Sequence, residues 1–361
     1  MAATMKAVRI FDCGNPGVLR YGDYPMPEVG PRDLLVRVLA TSVSRWDVMY
    51  RAGTWRKTHK EYPGRRMFAL PMQLGRDAVG VIEAAGRDVT RFKIGDRVVG
   101  LPHPENPDCP LAVRGFGNLS TGIAYPGHSM FGGNAQYVAR PEHFWVHLPE
   151  RVAPHVAAAA MWSYATSHRV LVDRLGARPN DLVLVTGTSG GMGSATVDLA
   201  KLMGLRVVGV TRVAEKVAFL ERMGCDHVIV GADARAVAQL KEIGDGFGLD
   251  GAVEYTGNRD LQRFAIDAMR PGGTLVTAGA DWSGEHFPII DQDFVRLELT
   301  IRGIRGSTLD DQRAILALLA RGAIDPAIHA VMPLSAIARA HELVERSEIA
   351  GRIVLDPWQD A

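Results

Sequence analysis

The sequence has little cysteine. Cys13, Cys109 and Cys225 are the three in 361 residues, far apart and with no CxxC pair. That excludes a four-cysteine zinc site and a disulfide scaffold. Three scattered thiols predict a reducing, cytoplasmic setting. Charge of one sign is lacking too: Lys plus Arg number 41 and Asp plus Glu 40, a net charge of +1. No overall basic field draws in nucleic acid, and no acidic tail is present. The longest apolar run, Val156 to Trp162, is far too short to span a bilayer. The opening Met1-Ala2-Ala3-Thr4-Met5-Lys6 leads into no long apolar stretch, which predicts no signal peptide. No internal repeat and no low-complexity linker is found.

What is there is ordinary globular composition, 47% hydrophobic and 22% charged, in a chain long enough for two domains. Residues 1 to about 150 are rich in Gly, Pro and short β-like runs such as Leu34–Leu39, Ala78–Ala84 and Arg97–Leu101. Turn residues bound each run, so this part predicts a compact barrel. From Leu182 the texture changes. Strands at Leu182–Thr186, Arg206–Thr211, His227–Val230, Ala252–Tyr255 and Thr274–Ala278 alternate with helical stretches. The pattern predicts βαβ units, a parallel sheet and a doubly wound α/β domain. A further strand, Leu299–Ile304, precedes a helix at Asp310–Arg321, and the chain closes on the β-like Gly351–Leu355.

One motif is rich in information. The apolar strand Leu182–Thr186 runs into Gly187-Thr188-Ser189-Gly190-Gly191-Met192-Gly193, with a helix predicted after it. Glycines at Gly187, Gly190 and Gly193 allow a tight turn and close approach of backbone to a pyrophosphate. The helix N-terminus supplies N–H groups and a positive dipole end. The alternative is a tight turn with no ligand. The next strand chooses the cofactor. It ends Val210-Thr211-Arg212, without the acid that binds a ribose diol. Thr211, Arg212 and Lys216 suit a 2′-phosphate, so NADPH is expected. The alternative is a solvated Arg212 and an NADH site lacking its acid.

Six segments in order and spacing, Met5-Lys6-Ala7, Gly75–Ile82, Gly95–Val98, Gly132–Val138, Gly187–Gly193 and Gly351–Leu355, carry a resemblance that covers essentially the whole chain. The chain resembles the medium-chain dehydrogenase/reductase family, in its zinc-independent quinone oxidoreductase and enoyl reductase-like branch. The resemblance implies a GroES-like domain at 1–153, completed by 323–361, and a Rossmann domain at 154–322. It implies a homodimer paired through the strand near Leu299–Ile304, small-molecule substrates, and neither membrane nor nucleic acid as partner. Zinc-binding relatives place a Cys and a His where this chain resembles them at Ser44 and Arg76. Serine is a poor zinc ligand and a cationic Arg is none, so no metal is expected.

The resemblance also implies site residues. Cofactor contacts fall on Thr166, Gly187, Ser189, Gly190, Gly191, Met192 and Gly193, and on Thr211, Arg212 and Lys216. Thr256, Gly257, Ala278, Gly279 and the closing Arg352 join them. The early loop matches a family pattern at Ser44, Asp47, Arg51, Gly53 and Trp55, with Ser44 for the usual Asn and Trp55 for the usual Tyr. Indole donates a hydrogen bond but is no acid. Ser44, Tyr50 and Trp55 are the candidate donors to a reacting carbonyl, with packing as the other reading of Tyr50. Asp47 is expected to hold the loop. His143 and His147, four apart, read as surface or packing residues, and His168 as structural. The stretch Leu101 to Met130 is either a substrate wall, with Phe116, Tyr125 and the adjoining Phe131 lining a pocket, or a remnant without a direct role. Three functions follow: metal-free NADPH-dependent reduction of an activated C=C bond, a zinc-free alcohol dehydrogenase or ketone reductase, and a non-catalytic NADPH-binding protein.

Overall fold

The computed structural model describes residues 3–54, 63–279, 287–288 and 290–359. The chain forms two units, Met1–Ala165 with Ser307–Ala361, and Thr166–Gly306.

The first unit is built on the long strand Asp33–Val43, which pairs antiparallel with Ala78–Ala85, Tyr137–Pro141 and Arg352–Asp356. Its alternating residues explain why. Leu34, Val36 and Val38 point inward and pack with Ala78, Ile82, Val98 and Trp145 in one core, while the residues between them are half-buried. A second core joins Val8, Ile10, Tyr50, Phe68 and Leu74 to Leu334, Ile337, Ile353 and Leu355. The closing strand Arg352–Asp356 thus lies between Asp33–Val43 and Ile328–Pro333, and the end of the chain completes the sheet of the beginning. This is the GroES-like barrel.

The second unit is a six-stranded sheet among the described residues. Its order is His227–Val230, Arg206–Thr211, Leu182–Val185, Leu249–Glu254, Met269–Thr277, Thr300–Gly303, and all pairings are parallel. Leu182–Val185 sits centrally and is buried at all four positions, as an apolar run covered on both faces must be. The strand order reverses at this strand, and ligands bind parallel sheets at such a switch point. The architecture is α/β with a Rossmann sheet.

The unit boundaries differ from 153/154 and 322/323. They fall inside the helix Pro154–Arg169 and just before the helix Leu309–Arg321. Side chains explain the shift. Trp162 packs on Arg76 and His103. Glu105 accepts the N–H of Leu309 at 2.6 Å, and Gln312 donates to the His103 carbonyl at 3.1 Å.

Candidate active site

In the first unit, the helix Arg45–Ala52 begins with a capping box. Ser44 is the N-cap. Its hydroxyl donates to Asp47 Oδ2 at 2.6 Å and accepts the Asp47 N–H at 3.2 Å, while the Ser44 N–H donates back at 2.8 Å. Ser44 thus spends its hydroxyl hydrogen on the helix start. The other oxygen of Asp47 accepts the Gly75 N–H at 3.0 Å. Gly75 has φ 89°, and a Cβ there would lie 2.2 Å from Asn134 Oδ1. Only glycine fits this turn, which presents Arg76.

Tyr50, two turns from the cap, is buried. Its ring stacks on Phe68 at 4.8 Å and 5°, and meets His128 edge-on at 5.3 Å. Arg76 Nη2 donates to the Tyr50 hydroxyl oxygen at 3.4 Å, and its guanidinium lies 4.4 Å from the Trp162 ring centroid. Trp55 lies outside the described residues. Arg51 is an anchor: it pairs with Glu345 at 2.8 Å and donates to the Gly14 carbonyl at 2.6 Å.

Arg352 departs from the expected cofactor contact. Its guanidinium is buried against Asp77 at 2.9 Å and also donates to Ser42 Oγ, which in turn donates to the same Asp77 oxygen at 2.6 Å. A charge held in a buried ion pair is committed to it. Burial pushes the Asp77 carboxyl above the usual carboxylate range, against the pull of Arg352 and Ser42. The aromatics of the long loop do not gather into one pocket. Tyr125 is buried in the barrel core with its hydroxyl on the Ser120 carbonyl. Phe116 and Phe131 are exposed, and Arg9 covers Phe131. His143 packs on Phe144, and His147 on Phe92 beside Asp96.

The second unit carries the glycine loop. Gly187 has φ 62°, and a Cβ on Gly193 would lie 2.4 Å from the Gly187 carbonyl oxygen. One glycine is needed for the turn and the other for close packing of helix on loop. Helix Gly191–Leu202 starts without a side-chain cap, which leaves the N–H groups of its first turn, at Gly191, Met192 and Gly193, suited to an anion. Thr188 ties the loop to the next strand, donating to the Val185 carbonyl at 2.6 Å and accepting the Val210 N–H at 3.0 Å. Lys216 donates to Ser189 Oγ at 3.4 Å. Thr211 closes a turn with Val213, and Arg212 is exposed beside it. Ser189, Thr211, Arg212 and Lys216 therefore collect at the ends of two adjacent strands. Thr166 is 6% exposed and its Oγ1 has no hydrogen-bond partner among the described residues. That orphaned hydroxyl and the open helix start fit a dinucleotide.

Sequence reasoning missed the centre of this unit, Glu254. Its buried carboxylate accepts from Thr186 Oγ1 at 3.1 Å, the Thr256 N–H at 2.6 Å, the Gly257 N–H at 3.0 Å and the Gln262 amide at 3.4 Å. Its carbonyl accepts the N–H groups of Ala278 and Gly279 at 2.8 and 2.9 Å. The four expected residues Thr256, Gly257, Ala278 and Gly279 are thus all held by one residue. The signal was an acid closing the apolar run Gly251-Ala252-Val253-Glu254. Tyr255 was missed as well. Its hydroxyl bonds Thr196 at 2.7 Å and Ser167 at 3.3 Å, behind the glycine-loop helix, and burial pushes its phenol up to about 12.

The comparisons with known proteins agree with this geometry. Residues 30–150 match the family described as alcohol dehydrogenase GroES-like domain, and residues 191–321 the one described as zinc-binding dehydrogenase. An alcohol dehydrogenase of Rhizobium meliloti is 30% identical over 98% of this chain and 99% of its own. The chain belongs to the medium-chain dehydrogenase/reductase family. The human quinone oxidoreductase is 27% identical over 97% of each chain. The solved 2-octenoyl-CoA carboxylase reductase in complex with NADP and 2-octenoyl-CoA superposes with a TM-score of 0.85 at 27% identity, over 100% of this chain and 90% of that one. This is a family of oxidoreductases that bind a nicotinamide cofactor and act on small molecules.

The description of one matching family mentions zinc, and the two positions that resemble its ligand positions, Ser44 and Arg76, carry poor zinc ligands. Ser44 is spent on its helix cap, and Arg76 is a cation lying against Trp162. Among the described residues no group of three or more His, Cys, Asp or Glu stands ready to hold a metal ion. Among the described residues no helix is long and apolar enough to cross a membrane.

Proposed function

We propose that this protein is a metal-free, NADPH-dependent reductase of a C=C bond conjugated to a carbonyl, in an enone, an enoyl thioester or a quinone. The observation that carries the reading is Arg76, a buried guanidinium where metal-binding relatives place a ligand, hydrogen-bonded to Tyr50. A site without a Lewis acid is poorly equipped for an isolated ketone. A conjugated alkene is already activated, and ordinary hydrogen-bond donors to the developing enolate suffice. The quinone oxidoreductase relatives and the reductase solved with NADP and an enoyl-CoA support the same chemistry.

The bound nicotinamide supplies the hydride. This chain's residues do the rest. The loop Gly187 to Gly193 and the N–H groups of Gly191, Met192 and Gly193 bind the pyrophosphate. Thr211, Arg212, Lys216 and Ser189 bind the 2′-phosphate. Thr256, Gly257, Ala278 and Gly279 border the nicotinamide half, and Thr166 hydrogen-bonds it. Tyr50 donates the proton, and Ser44 keeps its helix cap. Trp55 stands as a second donor. Three scattered thiols support a cytoplasmic setting. The strand Thr300–Gly303 ends the sheet and supports pairing with a second copy, which light scattering at micromolar concentration tests against a monomer of 39.1 kDa.

The test is a matched pair of substrates, an enone and its saturated ketone, each assayed with NADPH and with NADH before and after chelator. Turnover of the enone with NADPH, unchanged by chelator, is expected. Turnover of simple alcohols or ketones, with none across enones, enoyl thioesters and quinones, overturns the reading. That outcome would establish the second one, a zinc-free alcohol dehydrogenase, which the alcohol dehydrogenase relative at 30% identity favours. NADPH binding with no turnover of either set would establish a non-catalytic protein.

A further inference from the structure

We propose that Arg76 is a positioning residue for the proton transfer, supplying the permanent positive charge that holds the Tyr50 hydroxyl and steadies its phenolate. The proposal rests on the reading that this chain reduces conjugated C=C bonds with Tyr50 as proton donor, and adds to it the device that makes Tyr50 fit for the task.

Arg76 is pinned on both sides. The residue before it is held by Asp47 through the Gly75 N–H, and the residue after it, Asp77, by Ser42 and Arg352. Between these ties the residue is 7% exposed. The guanidinium lies against the Trp162 face, a contact that offsets part of the cost of burying a cation, and it reaches the Tyr50 oxygen at 3.4 Å. Tyr50 is equally fixed, stacked on Phe68 and flanked by Trp46 and His128. A guanidinium stays charged at any working pH. A phenolic oxygen that accepts from a cation is a stronger donor through its own hydrogen, and the phenolate left behind is stabilised by the same charge.

The step balances as follows. Reduction at the β-carbon moves the π electrons onto the carbonyl oxygen as an enolate. The α-carbon then takes the Tyr50 proton: the phenolic O–H bond breaks, a C–H bond forms, and a phenolate remains opposite Arg76. Water returns the proton. Tyr255, by contrast, has its hydroxyl bonded to Thr196 and Ser167 with no cation beside it among these partners, and burial pushes its phenol up.

The groups facing Tyr50 define the controls. Arg76 faces it from the Gly75–Asp77 turn and His128 from the long loop; Phe68 and Trp46 are apolar walls. Cys13 donates to the Tyr50 backbone carbonyl at 3.5 Å. Arg76 keeps its charge throughout an assay range, so a change in the pH profile when it is replaced reports on the group it faces, and His128 is the second titratable neighbour to control for.

Two measurements test the proposal. The first is the pH profile of kcat/KM for an enone. Arg76→Gln is expected to move the alkaline limb up by about one unit or more and to lower kcat roughly ten-fold or more, with NADPH affinity unchanged. Arg76→Lys, which keeps the charge without the fork, is expected to fall between. The second is a phenolate absorbance titration without cofactor or substrate. Tyr50→Phe is expected to remove a titration step lying below the ordinary tyrosine range, and Arg76→Gln to shift that step upward. If Arg76→Gln melts like the parent and moves neither limb nor step, the proposal is overturned. If Tyr50→Phe removes no such step, it is overturned whether or not Arg76→Gln folds. Absence of enone turnover in the parent overturns the functional reading instead, while the titration still decides the Arg76–Tyr50 coupling.

Discussion

Asp47 Oδ1 stands 3.0 Å from the backbone nitrogen of Gly75, so the first turn of one helix holds the turn that presents Arg76. The same carboxylate accepts both the N–H and the hydroxyl of Ser44. A helix cap and the turn that carries Arg76 therefore share one residue.

Replacing it breaks both. Asp47→Ala is expected to cost about 1–3 kcal/mol of stability, from a lost cap and an unpaired buried N–H. Asp47→Asn keeps one acceptor and is expected to cost less. Urea denaturation of the three proteins checks the order.

The cofactor preference is expected to sit on Arg212 and Lys216. Charge-assisted bonds are worth ~1.5–3 kcal/mol, so Arg212→Ala should weaken NADPH roughly ten- to a hundred-fold and leave NADH nearly unchanged. Titration calorimetry with both nucleotides measures the split. Equal use of NADPH and NADH by the parent protein would sink the 2′-phosphate assignment.

Glu254 is expected to behave differently. Both its oxygens face donors, among them the N–H groups of Thr256 and Gly257. In Glu254→Gln, whichever oxygen becomes an amide meets a donor, leaving a buried group unsatisfied at about 1–3 kcal/mol. The loop it holds should loosen, and NADPH and NADH should weaken together. The same calorimetry shows whether the loss is common to both nucleotides.

His341 gives a pH prediction. It is fully buried and burial lowers it to about 4; Arg51 pushes the same way, while Asp47 and Glu345 oppose. Below about 6.5 the unfolded chain takes up a proton that the folded one refuses. Stability is therefore complete above about 6.5 and falls as pH drops toward 4, with a slope of about one proton. His341→Leu should flatten that slope, as seen in urea midpoints measured across the window.

Much of the fold was legible because its signals are local. Leu182–Val185 is apolar throughout and the glycine spacing follows at once, so strand, loop and helix were all readable. The run Leu34–Leu39 was legible as β-like from the turn residues that bound it, though not its extension to Val43, where Ile353 and Leu355 pair with it. Candidate site residues were legible where backbone shape demands a glycine, as at Gly187 and Gly193. They were not legible where a side chain chooses among distant partners. Nothing near Arg352 in sequence announces Asp77, and nothing near Glu254 announces Ala278. Tyr125 illustrates the same limit: an aromatic in a glycine-rich loop reads as a pocket wall, yet this one fills the barrel.

The closing strand Arg352–Asp356 also sets a schedule. The edge of Asp33–Val43 that receives it leaves the ribosome about three hundred residues before its partner does, roughly 15–60 s at typical synthesis rates. The contiguous stretch 166–306 is complete well before then. Translation thus delivers the second unit whole while the first waits with an open flank, exposed to chaperones and to neighbouring nascent chains until the final residues arrive.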